Sequence, residues 1–280
     1  MALAFEAERV TKRYGRTQAL TGVDMTIAPG ELVGLIGPNG AGKSTFVKIA
    51  CGLVRPSSGA VRVCGAPPGS DKARAALGYL AELFRFPNWL RATEVLQLHQ
   101  ELAGSRGGAT ERRELLDLVG LGSAVDRRVD EMSKGMQQRL GIAQALVGEP
   151  SVVLLDEPTS ALDPSGRRVV RDILRELRAR GMAVLLNSHL LSEVELVCDR
   201  VVILSRGSIV TQGSPRDLAT PIGVEIETAT GLQKHPSARR EDIPGLVKDL
   251  VANGESVYSV RSLVPTLEDV YLREVGDEEA

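Results

Sequence analysis

Two apolar runs, Glu31-Leu32-Val33-Gly34-Leu35-Ile36 and Val152-Val153-Leu154-Leu155, do not alternate with polar positions, and each ends on a turn-forming or acidic residue. Runs of this length predict strands buried on both faces, as in a parallel sheet covered by helices. Phe46 to Ala50 continues after the first run as a helix with Gly52 as its C-cap. Ser133 is placed to cap a helix running into Gly141-Ile142-Ala143-Gln144-Ala145-Leu146-Val147, and Leu190 to Cys198 predicts another. The C-terminal pattern is different. Val224-Glu225-Ile226-Glu227-Thr228 alternates as a half-buried strand, Ile243 to Ala252 reads as a helix and Ser256 to Val260 as a further strand. Thr266 and Asp269 have the spacing of a capping box for a last helix.

With 280 residues, the chain suits one large domain with a smaller appendage. Hydrophobic residues make up 43% but aromatics only 3%, so the core must be aliphatic. No window offers the roughly 18 apolar residues of a membrane span, and Met-Ala-Leu-Ala-Phe-Glu lacks the pattern of a secretory leader. Cys51, Cys64 and Cys198 show no metal-binding spacing, which favours reduced thiols in a cytosolic setting. A net charge of -2 gives no reason to expect a nucleic-acid partner. That sum hides an asymmetry: residues 221–280 hold 12 Asp+Glu against 6 Lys+Arg, leaving 24 against 28 for the rest. The shift near Thr220-Pro221, after the turn residues Gly213-Ser214-Pro215, marks a domain boundary, giving expected domains of 1–220 and 221–280.

The first run leads straight into Gly37-Pro38-Asn39-Gly40-Ala41-Gly42-Lys43-Ser44-Thr45, a G-x-x-x-x-G-K-[ST] motif between a strand and a helix. Glycines there let backbone N–H groups turn inward around an anion, and the positive end of the following helix points at the same place. The motif implies ATP or GTP, with Lys43 reaching the β- and γ-phosphates and the Ser44 hydroxyl on Mg²⁺. The second run ends in Asp156-Glu157. Asp156 at such a strand exit is placed to hold Mg²⁺, and Glu157 to orient or deprotonate the attacking water.

Seven elements in order over residues 3–215 resemble the ATP-binding cassette (ABC) ATPases. Tyr14 matches the aromatic that stacks on adenine and Gly37 to Thr45 the phosphate loop. Gly78-Tyr79-Leu80-Ala81-Glu82 matches the segment that usually carries a glutamine, and Met132-Ser133-Lys134-Gly135-Met136-Gln137 the signature. Asp156-Glu157-Pro158-Thr159 matches the Mg²⁺ strand end, Ser160-Ala161-Leu162-Asp163 the loop crossing the dimer interface, and Asn187-Ser188-His189 the switch histidine. The resemblance implies an α/β fold: a P-loop NTPase core with a RecA-like mixed sheet, an antiparallel β subdomain and an α-helical signature subdomain over about 85–150. A small α/β appendage follows. Lys134, Met136 and Glu82 depart from the commonest form of these motifs, and Glu82 thereby becomes a metal contact to be tested. These variants, with Pro265 to Leu272, look like the ATPases of type-2 (ABC-2) exporters.

The family implies two nucleotide domains closing head to tail on two ATP molecules, with Ser133 and Gly135 of one facing the phosphate loop of the other. The second domain is a further copy of this chain or a related one. A separate transmembrane permease is the other implied partner, which would hold the chain on the inner face of the membrane. Phe84, Phe86, Trp89 and Leu90 are the expected docking cluster, the alternative being that they fill the helical subdomain's core. Gln137-Gln138-Arg139 reads as a solvated or interface face. Export is the leading reading; an importer ATPase, or a non-transport ABC protein acting on ribosomes or DNA, is the competing one.

Overall fold

The computed structural model describes residues 2–160 and 162–276. It divides into two compact units, Met1–Gln212 and Gly213–Ala280, with the division between Gln212 and Gly213, ahead of Thr220-Pro221.

The first unit opens with the long strands β1 (Phe5–Tyr14) and β2 (Thr17–Ile27). The phosphate-loop strand β3 (Leu32–Ile36) and helix α1 (Lys43–Ala50) come next, then β4 (Ser58–Val63), α2 (Asp71–Ala76) and β5 (Leu77–Leu80). A helical segment follows, made of α3 (Ala92–Ala103), α4 (Gly108–Leu118) and α5 (Lys134–Ala145). The chain then returns through β6 (Val152–Asp156), α6 (Pro164–Ala179), β7 (Ala183–Asn187), α7 (Leu191–Val197), β8 (Arg200–Ser205) and β9 (Ser208–Gly213).

Among the described residues the large sheet has the order β5-β6-β7-β3-β8-β9, parallel from β5 through β8. Every residue of β3, β6 and β7 is buried, as their unbroken apolar runs require. The last strand turns back through Arg206 (φ 47°) and Gly207 (φ 78°), the pair of positive φ values that a tight hairpin needs. β1 lies between β2 and β4 in an antiparallel sheet, and the Phe5 ring meets Phe46 of α1 edge-on at 5.9 Å. A continuous aliphatic core joins the two sheets through Leu20, Val33, Ile49 and Leu185.

Helix α1 starts three residues earlier than periodicity suggested, because the loop itself turns into its first turn. Its cap is Cys51, with Gly52 (φ 73°) just beyond it.

The second unit contains α8 (Pro215–Leu218), β10 (Gly223–Thr228), β11 (Gly231–Pro236), α9 (Ile243–Ala252), β12 (Val257–Leu263) and α10 (Leu267–Val275). β10 is flanked by antiparallel β11 and β12, and beyond Gly223 at its start the alternate residues Val224, Ile226 and Thr228 are buried. The Thr266 hydroxyl accepts from Asp269 N (3.2 Å) while Asp269 accepts from Thr266 N (2.7 Å), which closes the capping box. Among the described residues no helix is long and apolar enough to cross a membrane.

Candidate functional site

The phosphate loop leaves β3 at Gly37 and enters α1 at Gly42. Gly42 has φ 107°, and a Cβ there would lie 2.5 Å from Ala19 O. At Gly37 a Cβ would meet Leu204 O at 2.1 Å. Both positions therefore demand glycine for steric reasons. Among the described residues no side chain caps α1 and no acidic residue sits in its first turn, which leaves its positive end suited to an anion. Lys43 Nζ folds back over the loop, donating to Gly37 O (2.5 Å) and Pro38 O (3.0 Å). Ala41 is buried beneath, Thr45 half-buried, and Asn39, Gly40 and Ser44 face outward.

β6 delivers two carboxylates of different character. Asp156, 5% exposed, accepts from the Asn187 amide across the β6–β7 pair. Burial raises its pKa above the usual carboxylate value, the Asn187 hydrogen bond opposes this, and the negative charge of Glu82 adds to the rise. Glu82 is itself exposed, so the structure brings its field to Asp156 while leaving its side chain at the surface.

Glu157, 9% exposed, has φ 53°, a region that costs a non-glycine residue on the order of 1–3 kcal/mol. Its carboxylate accepts from His189 N at 3.0 Å through Oε1. His189 Nδ1 stands 2.7 Å from Oε2, so the histidine meets both oxygens of the carboxylate. Burial raises the Glu157 pKa as well, with the His189 contacts opposing it. The His189 ring is largely exposed, outside the helix it precedes. A strained backbone and a buried carboxylate facing a histidine coincide at one residue, the combination expected where chemistry is done.

The signature segment sits at the start of α5. Ser133 Oγ accepts from Met136 N (3.2 Å), so the serine caps its own helix as its sequence position implied. Ser133 is exposed and Gly135 half-exposed, and a Cβ on Gly135 would press on Leu162 at 3.1 Å. Ala161, in the neighbouring loop, lies outside the described residues. Tyr14 ends β1 about half exposed, with Lys12 Nζ 4.8 Å from its ring centroid.

Gln137-Gln138-Arg139 is not a solvated face. Gln138 is buried and donates to Glu157 O at 3.3 Å, Gln137 donates to Val129 O and Met132 O, and Arg139 reaches Val119 O and Gly120 O. These side chains, buried at Gln138 and half-buried at Gln137 and Arg139, satisfy main-chain carbonyls, a partnership that no local sequence pattern encodes. In the cluster after Glu82, Phe84 and Phe86 are half-buried with ring centroids 5.3 Å apart. Trp89 is 70% exposed and Leu83, unnoticed in the sequence, is 91% exposed.

A loop of this shape beside a buried Asp-Glu strand end has counterparts among known proteins: the family model described as ABC transporter matches residues 20–160. The chain belongs to the ABC transporter family. The ABC transporter ATP-binding protein YhcH of Bacillus subtilis is 34% identical over 298 residues, covering 99% of this chain and 97% of YhcH. Nod factor export ATP-binding protein I of Paraburkholderia xenovorans is 35% identical, over 91% of this chain and 85% of its own length. Among solved structures, the ATP binding subunit of an ABC transporter superposes with a TM-score of 0.70 at 32% identity, covering 77% of this chain and 91% of that subunit. A dimeric ATP-binding cassette bound to ADP and Pi matches with a TM-score of 0.68 at 26% identity, over 75% of this chain and 98% of the cassette. The chain is thus an ABC transporter ATP-binding protein with the P-loop ATPase fold, and ATP hydrolysis is what that family implies.

Proposed function

We propose that this chain is the ATP-hydrolysing subunit of an ABC exporter, closing as a dimer on two ATP molecules and driving a separate membrane permease. The observation that carries the hydrolytic part is Glu157, a buried, backbone-strained carboxylate beside His189 at the end of a strand two places from the phosphate-loop strand.

In this reading the backbone from Gly37 to Thr45 wraps the β- and γ-phosphates and the start of α1 faces their charge. Lys43 exchanges the two loop carbonyls for phosphate oxygens, a stronger charge-assisted pair. Ser44 and Asp156 offer a hydroxyl and a carboxylate, the hard oxygen set suited to Mg²⁺, with phosphate oxygens and water completing it. Glu82 is a further candidate oxygen there. When bound, Mg²⁺ would draw charge from the phosphate oxygens. Glu157 takes a proton from water as the water oxygen bonds to the γ-phosphorus and the bond to ADP breaks. His189 holds the Glu157 carboxylate and presents its imidazole beside it. Tyr14 offers its exposed ring to adenine.

Ser133 and Gly135 complete the site of a second copy or related chain, which suits their exposure at the start of α5. Residues 1–220 form the ATPase domain in this reading and 221–280 an accessory domain. The permease contact is assigned to the aromatic segment, where Leu83 and Trp89 are the exposed members. Export is favoured by the Nod factor export relatives and by the Lys134, Met136 and Glu82 variants.

The test is Glu157→Gln. Turnover should fall by about a thousandfold or more while ATP affinity stays within about twofold, because the base is lost and the phosphate cradle is intact. Near wild-type hydrolysis in a folded variant would remove Glu157 from its role.

A further inference from the structure

Helix α5 begins at the exposed Ser133 cap, yet one of its side chains reaches the peptide of Glu157. Gln138, buried on this helix, donates from Nε2 to Glu157 O at 3.3 Å. The same oxygen accepts from Ser160 N (3.4 Å) and Ser160 Oγ (3.1 Å), while Glu157 N donates to Asn187 O (2.9 Å) and the carboxylate is held by His189 N. Of these holds, that from Gln138 alone comes from the helical segment. At 3.3 Å it lies at the long end of N–H···O geometry, so a small displacement of α5 makes or breaks it. Glu157 depends on such holds, since φ 53° is a sparsely populated conformation that surrounding contacts must enforce.

One turn further on, Gly141 brings the same face of α5 against the segment that follows β5. A Cβ there would lie 2.8 Å from Leu80 Cδ1 and 3.0 Å from the Phe84 ring. The helix is therefore clamped between the Glu157 peptide and the Leu80–Phe84 segment. We infer that Gln138 is a positioning residue for hydrolysis, tying the main chain of Glu157 to α5 so that the aim of the carboxylate depends on how α5 sits against Phe84. This rests on the reading of Glu157 as the group that activates water.

The experiment compares Gln138→Met, Gln138→Asn and Glu157→Gln in the full chain, measuring kcat, KM for ATP and melting temperature. Methionine keeps the volume of glutamine without its donor, and asparagine keeps the amide without its reach. Both should lower kcat about tenfold with KM unchanged, at an assay temperature below each variant's melting transition. A packing role alone predicts that Gln138→Met keeps wild-type kcat, and that result overturns the inference. Should Gln138→Met fail to fold, wild-type kcat in Gln138→Asn overturns it equally. If Glu157→Gln is inactive and the Gln138 variants are normal, only the positioning role fails; if Glu157→Gln is active, the role of Glu157 fails and this one with it.

Discussion

Asp156 and Glu157 lie sealed at the end of β6, each less than a tenth exposed, whereas Ser133 and Gly135 stand at the open start of α5. Both pairs belong to motifs of the same family, but the protein treats them oppositely. The carboxylates are tuned from within: burial raises their pKa values, and Asn187 and His189 pull back. Nothing comparable is described for Ser133, whose hydroxyl and carbonyl both accept from its own helix, from Met136 N and Gln137 N. A group prepared by its surroundings can work on a ligand held by the same chain. One left at the surface has its use only when another molecule arrives.

The sharpest way to break this contrast is Ser133→Arg. A long cation at an exposed cap should leave folding and ATP binding by the single chain within about twofold of wild type. Hydrolysis should fall about 100-fold, the scale of losing a preorganised contact to the reacting group. Undiminished ATPase activity at every protein concentration would show that α5 serves no second site.

A smaller effect is expected at the exposed aromatic. Because Trp89 is 70% exposed, Trp89→Ala should not show the roughly 3–5 kcal/mol loss of a core tryptophan, and its melting temperature should stay within about 2 °C of wild type. Co-purification with a co-expressed permease should drop about tenfold, as for a hot-spot aromatic. A stable variant with undiminished capture would remove the docking role.

The smallest effect sharpens the buried side. Glu157 holds its proton more tightly folded than unfolded, so stability of the nucleotide-free chain declines as pH rises from the ordinary carboxylate value to the raised one. Glu157→Gln removes that ionisation. Its melting temperature should exceed wild type at pH 7 by a few degrees, and the gap should close below about pH 4.

How much of this was legible depended on whether the cause was local. β3, β6 and the phosphate loop could be read because a fully buried strand must be apolar throughout and a loop around an anion needs glycine. Ser133 and Thr266 were readable as caps because a cap bonds within one turn. Gln138 was misread, since its partner lies 19 residues away and a buried glutamine looks in sequence like a solvated one. The strain at Glu157 carries no sequence signal, because a positive φ is announced by glycine and the residue here is glutamate. Leu83 escaped notice among aromatic neighbours, although it is the more exposed.

The hairpin at Arg206-Gly207 also bears on how a nucleotide is captured. Gly207 N donates to Ala41 O (2.9 Å) and Thr21 N to Gly207 O (2.8 Å), so the phosphate loop is stitched through this turn to β2. With Lys43 already parked on Gly37 and Pro38, the arriving phosphates meet a loop that has little left to order. Capture then asks Lys43 to trade its two carbonyls for phosphate oxygens and asks little rearrangement of the loop backbone.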